Sequence, residues 1–176
     1  VRTKNSSGST SGYWYGPTIP SDCFLNWKHY VLTCDFSTTS FAYELYIDGV
    51  LLADRIRSSS AVGLQSNTST NYLYIHTLDS IENDEWLYID EIGWYNSILP
   101  QSAVTSLYNN GVPHDLTENL GDYTQSSNLL GYYRMGDGVG DSIGTKLNDE
   151  SGNNRDLDTH TDSGVSIIEA GPASNG

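Results

Sequence analysis

The dipeptide Asp48-Gly49 is the feature that most constrains how this chain folds. It separates the runs ELYI and VLLA, and an Asp-Gly pair between two apolar runs is the strongest short-range signal for a tight β-hairpin. Just upstream, residues 27–36 (WKHYVLTCDF) alternate like a strand that is covered in part on both sides. The middle of the chain is therefore predicted to be antiparallel sheet.

Similar runs follow on the C-terminal side of this hairpin. Strands are predicted at 71–78, 86–95 and 129–135, with a short strand at 165–168. One helix is predicted at 101–109, because apolar residues recur there at helical spacing and Asn110-Gly111 supplies a stop. The stretch after Gly136 is predicted to be loop. Many short strands with one short helix indicate an all-β fold, an antiparallel sandwich.

Composition limits the partners of the chain. Its 176 residues fit one domain with a real core. With 8 Lys+Arg against 22 Asp+Glu, the net charge is −14. A nucleic-acid partner is not expected, because phosphate binding needs clustered basic residues. No apolar run reaches the roughly 18–20 residues of a membrane span, so no membrane insertion is expected. The polar first residues predict that no secretory signal is present.

Cysteine and histidine give little guidance. Cys23 and Cys34 are the two cysteines of the chain. A bridge between them and two separate thiols both remain open, because a disulfide depends on geometry that the sequence does not supply. The four histidines and two cysteines show no zinc-ligand spacing, so no zinc site is predicted.

Two blocks of sequence resemble laminin G-like domains, which belong to the concanavalin A-like lectin/glucanase superfamily. Residues 27–35 and 45–49 (WKHYVLTCD and LYIDG) resemble the family's WHHVAVTYDG…LYVDG hairpin. Residues 89–96 (IDEIGWYN), Leu99 and the helix up to Gly111 resemble its IDEVRIYNRALSAAEIQALYNSG block. The resemblance implies a jelly-roll β-sandwich of two antiparallel sheets with one short helix near 101–109.

A third block indicates the biological setting. Residues 131–138 (GYYRMGDG) with 149–154 (DESGNN) resemble GYWRMGDG…DSSGNGNDG, a pattern of virion proteins of tailed phages, particularly marine ones. Family members carry further strands ahead of the first block. Residues 1–21 are therefore predicted to be a loop-rich segment, with at most one short strand, that continues from an upstream part. The sandwich then spans 22–170, and 171–176 form a tail.

The acidic residues do not predict a hydrolase. Glucanases of the superfamily align their catalytic carboxylates on one face of a strand. Here Glu82, Asp84 and Glu85 are expected to lie in a turn. Asp90 and Glu91 are neighbours, so they point to opposite faces of a strand. No Ser-His-Asp order or G-x-S-x-G elbow is present either. The chain is therefore expected not to be an enzyme.

Calcium is the cofactor that the resemblance implies, since laminin G-like relatives often bind one Ca²⁺ at a rim. The candidate ligands are Asp90, Asp137, Asp141 and Asp149. The alternative, which composition favours, is that the aspartates and asparagines cap turns in this Gly-rich region. A buried Asp90 needs a partner, and an ion, Arg134 or a backbone amide would each serve. Arg134 itself is predicted to form a structural ion pair with a carboxylate.

Aromatic residues are the candidates for ligand contact. Tyr13, Trp14 and Tyr15 lie in a Gly/Ser/Pro-rich stretch. They are predicted to contact a glycan or a protein, because exposed aromatic rings mark contact surfaces, with burial between the sheets as the alternative. A second group lies in alternating strands and is predicted to pack between the sheets: Trp27, Trp86 and Trp94.

The predicted function is a non-catalytic structural and adhesion protein at the virion surface, in a capsid decoration, tail or fibre. Its expected partners are other virion proteins, in multiple copies, and host-surface glycans. An acidic exterior suits this setting, because it favours solubility and disfavours nonspecific nucleic-acid binding. A secreted or cell-surface calcium-dependent carbohydrate-binding module is the alternative, and a glycoside hydrolase is a third, less favoured one.

Overall fold

The computed structural model of the chain describes residues 2–4, 10–15, 26–35, 42–52, 56–57, 88–142 and 146–158. These ranges contain ten short strands and one α-helix. The strands are β1 (Arg2–Lys4), β2 (Thr10–Tyr15), β3 (Tyr30–Asp35), β4 (Ala42–Ile47), β5 (Val50–Leu51), β6 (Ile56–Arg57), β7 (Ile92–Tyr95), β8 (Leu129–Tyr133), β9 (Lys146–Leu147) and β10 (Leu157–Asp158). The helix is α1 (Gln101–Tyr108). Single turns of 3-10 helix lie at Asn109–Gly111 and Ser126–Asn128.

Every pairing of these strands is antiparallel. One sheet has the order β1-β2-β6, a second has β3, β4 and β5 in sequence order, β7 pairs with β8, and β9 pairs with β10. Antiparallel strands with one short helix agree with the all-β class that the sequence predicted. The strands predicted at 71–78 and 165–168 lie outside the described residues.

The Asp48-Gly49 dipeptide forms the two-residue turn predicted for it. Asp48 has φ 49° and Gly49 has φ 76°, and both values are positive, as a type I′ turn requires. The turn sets the register of the hairpin by pairing Ile47 with Val50. The Asp48 amide also donates to the His29 carbonyl at 2.9 Å, which ties the turn back to the entry of β3.

Helix α1 begins after Pro100 and ends in a run of left-handed residues. Pro100 is extended, with ψ 157°, and its carbonyl accepts the Val104 amide at 3.1 Å. Asn109, Asn110 and Gly111 have φ values of 44°, 56° and 82°, so the chain leaves the helix where the Asn-Gly stop was predicted. The predicted helix is confirmed, one residue shorter than expected. Within the described ranges, no helix has the length and apolar character to cross a membrane.

The main core of the described part lies between α1 and the sheets. Its buried members are Tyr46, Leu99, Ala103, Val104, Leu107 and Tyr123, with Val31, Leu51, Tyr95 and Leu116 packed against them. Three of the buried residues come from one face of α1, as the helical spacing predicted. Tyr46 belongs to β4 and Tyr95 to β7, so the helix packs against one face of both sheets. Burial of a side chain such as Leu107 contributes about 1.5–3 kcal/mol.

Two segments differ from their predictions. Of the described residues of the strand expected at 86–95, only Ile92–Tyr95 form a strand, because Glu91 has φ 53° and interrupts the extended backbone. The stretch after Gly136, predicted to be loop, contains the paired strands β9 and β10. Leu147 of β9 is only 8% exposed, so burial of an apolar side chain stabilises this pair.

The predicted packing of tryptophans between sheets is wrong for the two that the structure describes. Trp27 is 43% exposed and Trp94 is 42% exposed, while Trp86 lies outside the described residues. Trp94 lies on the face of β7 opposite Tyr95, the residue that packs against the core. Trp27 precedes β3 and is not part of it. Alternation along the sequence therefore did not identify which face is covered.

Candidate functional site

One side of the sheet β3-β4-β5 carries exposed apolar residues. Val31 and Tyr46 contact the core on the helix side, and because successive strand residues point to opposite faces, their neighbours point away from it. Tyr30, Leu32 and Val50, which we call the outer face, are 49%, 47% and 63% exposed, whereas Ile47, which pairs with Tyr30 and Val50 on the same side, is 7% exposed. The three exposed side chains are therefore ones that another molecule would bury favourably.

An exposed aromatic pair lies beside the entry to β3. The rings of Trp27 and Tyr88 have centroids 6.5 Å apart and an interplanar angle of 58°, and Tyr88 is 55% exposed. Tilted contact of this kind stabilises both rings and leaves ring surface open to a ligand. Sequence reasoning missed this pair, because 61 residues separate its members and no local pattern joins them.

Glu91 is held by two side chains from β8 and its C-terminal end. Its carboxylate accepts the Tyr132 hydroxyl and the Arg134 Nε at 3.3 Å. Burial raises the pKa of Tyr132, and the hydrogen bond to Glu91 raises it further. The predicted structural ion pair of Arg134 is confirmed. These contacts offset the left-handed backbone of Glu91, which costs a non-glycine residue about 1–2 kcal/mol.

Asp90 has a backbone amide as its partner. Its Oδ1 accepts the Glu91 amide at 2.9 Å, which is one of the three partners considered for this carboxyl. Burial is the largest influence on its pKa, and repulsion from Glu91 and Asp137 acts in the same direction. The amide hydrogen bond and Arg134 oppose them, and the pKa of Asp90 is raised from 3.8 to about 6.

Asp149 joins three segments of backbone. Its Oδ1 accepts the amides of Tyr132 and Ser151 at 3.0 Å each, and its Oδ2 accepts the Arg155 amide at 3.0 Å. Asp149 is only 9% exposed, and burial by itself would raise its pKa. The hydrogen bonds from Ser151, Arg155 and Tyr132 outweigh burial, so the pKa of Asp149 is lowered.

Asp141 also accepts hydrogen bonds from backbone amides, in the neighbouring loop. Its Oδ2 accepts the amides of Gly136 and Gly138 at 3.0 and 3.2 Å, and its Oδ1 accepts the Asn148 amide at 2.6 Å. The carboxylate therefore fixes the turn 136–141 and connects it to Asn148, the residue directly after β9. Turn capping, the alternative that composition favoured, is what Asp141 and Asp149 are seen to do.

The four aspartates predicted as calcium ligands are used separately. Asp141 and Asp149 hold backbone amides, Asp90 holds the Glu91 amide, and Asp137 is close enough to repel Asp90. Over the described ranges, no three His, Cys, Asp or Glu side chains are grouped as a metal site. The contacts of Asp141 and Asp149 are those of turn capping, and calcium binding stays a prediction from the resemblance.

The predicted ligand-binding aromatics lie in a strand. The backbone of Tyr13, Trp14 and Tyr15 belongs to β2, with Tyr15 opposite Ile56 of β6. Their side chains lie outside the described part of the structure. The segment 1–21 thus contains two short strands, where at most one was expected, and the predicted contact surface stays a prediction.

Cys34 is a free, partly buried thiol. Burial raises the pKa of its thiol, which disfavours the nucleophilic thiolate form. Cys23 lies outside the described residues.

Comparison with known proteins identified no relative of the chain. No family model matches the chain, and searches of curated proteins and of solved structures found no match.

Proposed function

We propose that the chain is a non-catalytic attachment module of a virus particle. It is a laminin G-like jelly roll at the virion surface, in a capsid decoration, tail or fibre, and is present in multiple copies. It docks on neighbouring virion proteins and holds host-surface glycans. The resemblance of residues 131–138 and 149–154 to tailed-phage virion proteins supports the virion setting.

The outer face is the observation that carries the proposal of docking. Tyr30, Leu32 and Val50 leave about half or more of their area open to solvent, and apolar residues grouped on one sheet face mark a contact surface. Trp27 and Tyr88 add aromatic area, which protein interfaces favour. Each of these side chains would contribute about 1 kcal/mol to a contact, because roughly half of its area is already covered.

Charge favours a different protein over a second copy of the chain as the occupant of the outer face. Each copy carries a net charge of −14, so two copies repel each other on approach. A neighbour with Lys and Arg at the rim of its contact surface would instead be attracted. The proposed docking partner is therefore a virion protein with an apolar patch and a basic rim.

Three of the described carboxylates have structural contacts, which fit attachment without catalysis. Asp48 pairs with Lys28 at 2.9 Å and Glu91 pairs with Arg134 at 3.3 Å, while Asp149 holds three backbone amides. Carboxylates used in this way fix turns and strand ends. A glycoside hydrolase instead needs an acid and a second carboxylate on either side of a sugar.

Purified particles test the virion setting. Quantitative mass spectrometry is expected to find the chain at a fixed ratio to a capsid or tail protein. Its absence, or a trace amount that varies between preparations, would overturn the proposal. A glycan array read with and without EDTA separates the alternative. Calcium-dependent sugar binding by a chain that is absent from particles would support the secreted carbohydrate-binding module.

Photo-crosslinking tests the docking face itself. A photoreactive phenylalanine analogue replaces Leu32 on the outer face, and the matched control carries it at Thr117, which is exposed in the turn after α1. The expected result is a crosslink to one virion protein from position 32 and none from position 117. Equal crosslinking at both positions, or none at position 32 in particles that contain the chain, would rule out the outer face.

A further inference from the structure

His29 lies where the entry of β3 meets the Asp48-Gly49 turn. Its backbone amide donates to Asp48 Oδ1 at 3.1 Å, and its carbonyl accepts the Asp48 amide at 2.9 Å. The Asp48 carboxylate also pairs with Lys28 Nζ at 2.9 Å. The main chain of His29 is thus fixed to the turn from both sides.

The same turn presses against helix α1. The Gly49 carbonyl accepts the Thr105 hydroxyl at 3.2 Å, and a Cβ atom placed on Gly49 would lie 3.2 Å from the Tyr108 Cβ. The His29 ring stacks on the Tyr108 ring, with centroids 6.2 Å apart and an interplanar angle of 27°. Strand entry, turn and helix therefore meet around one imidazole.

One nitrogen of the imidazole is buried and unpaired in the described part of the chain. Nδ1 of His29 has no hydrogen-bond partner among the described residues. In the neutral ring Nδ1 can carry a lone pair, which is cheap to leave unpaired, and the proton then lies on Nε2. In the cationic ring Nδ1 carries a hydrogen, and a buried charged donor without an acceptor is costly.

The described titratable and charged groups around the ring do not remove this cost. They are Asp48 from the turn, Lys28 from the same strand entry and Tyr108 from α1. Burial lowers the pKa of His29 below its ordinary value of 6.5, and attraction to Asp48 opposes this only in part. The Asp48 carboxylate is already engaged by Lys28 and by the His29 amide.

We infer that His29 is an acid-sensitive latch, whose protonation drives the ring off Tyr108 and opens the contact between the entry of β3 and the Asp48-Gly49 turn. The neutral ring closes the latch, because it packs on Tyr108 without needing a partner at Nδ1. The cationic ring opens it, because the new N–H group must reach water. This device goes beyond the proposed function and does not depend on it.

The test compares wild type with His29→Phe, which keeps an aromatic ring against Tyr108 and cannot titrate. His114→Gln is the matched control, because it removes another imidazole, which contacts the Glu118 carbonyl and the Tyr123 ring instead of Tyr108. NMR follows the His29 ring and the hydrogen exchange of the Asp48 amide between about pH 7 and about pH 5, the range in which histidine titrates.

In wild type and in His114→Gln, the midpoint of the His29 protonation is expected below pH 6.5. As His29 becomes protonated, the protection of the Asp48 amide against hydrogen exchange is expected to fall. The fall is about tenfold for each unit by which the pKa of His29 differs between the closed and open states. His29→Phe is expected to keep its protection, and Asp48 is present in both proteins, so the difference reports His29 alone.

Two results would overturn the inference. One is a His29 midpoint at or above that of a histidine peptide measured alongside. The other is equal loss of Asp48 protection in wild type and His29→Phe. If His29→Phe does not fold, wild type alone decides, since the Asp48 protection must then fall with the His29 midpoint and not at another pH.

Discussion

Replacing Asp90 with asparagine is expected to stabilise the protein at neutral and alkaline pH. Asparagine keeps the Oδ1 atom that accepts the Glu91 amide. It removes the negative charge that burial, Glu91 and Asp137 disfavour. The substitution is close to isosteric, so it leaves the surrounding packing intact. The change in the free energy of unfolding therefore measures the cost of ionising this carboxyl in the folded protein.

The pKa of Asp90 sets the size and the pH range of this effect. It is about 6 in the fold, against an ordinary value of 3.8. A rise of about two units corresponds to about 3 kcal/mol for a fully buried group. Asp90 is only partly buried, and solvent screening reduces the expected gain to about 1 kcal/mol. Because the raised pKa favours the protonated form in the fold, the wild type gains stability as pH falls from about 6 to about 4.

Urea unfolding of both proteins at about pH 8 and about pH 4 measures the difference. Asp90→Asn is expected to be about 1 kcal/mol more stable than wild type at the higher pH and equal to it at the lower one. Asp122→Asn is the control, because Asp122 is an exposed carboxyl on a turn. An Asp90→Asn protein that is less stable than wild type at about pH 8, or that gains equally at both pH values, would show that ionised Asp90 does not destabilise the fold.

Three further substitutions are expected to destabilise the fold. Asp149→Asn should lower the free energy of unfolding by about 1–3 kcal/mol at neutral pH. The side-chain NH2 group of asparagine would then face one of the backbone N–H groups that donate to the carboxylate. In urea titrations, the difference in stability between wild type and Asp149→Asn should shrink in acid, as the pH falls through the lowered pKa of Asp149 and wild type loses its carboxylate. A difference that is constant with pH would contradict this. Leu107→Ala should cost about 2–5 kcal/mol in thermal unfolding by leaving a cavity, whereas a negligible loss would mean that this side chain is not in the core. Gly49→Ala should cost about 1–2 kcal/mol by the same measurement, since φ is 76° there, and unchanged stability would contradict the turn geometry.

Local signals were enough to predict several elements. The Asp48-Gly49 turn requires positive φ at two successive positions, and few dipeptides other than Asp-Gly and Asn-Gly accept this. Helix α1 combines apolar residues at helical spacing with a left-handed stop at its end. Arg134 lies in a chain rich in carboxylates, so an ion pair was the expected solution. Each of these features is decided by a few neighbouring residues or by overall charge.

Features that depend on distant parts of the chain were not predictable in the same way. Alternation shows that β7 has two faces, but α1 and Tyr123 decide that Tyr95 is covered and Trp94 is exposed. Similarly, the sequence left three partners open for Asp90, and the hydrogen bond that it accepts from the Glu91 amide accompanies a left-handed backbone at Glu91 that no local pattern indicated. The pair Trp27 and Tyr88 forms only because the fold brings two strand entries together.

A reconstruction of the purified particle by electron cryomicroscopy would show directly which face of the module makes the contact. We expect density for this chain at the virion surface, with Leu32 and Val50 of the outer face buried against a neighbouring protein whose contact rim carries Lys or Arg. Density in which the outer face is open to solvent and another side of the module makes the contact would contradict it.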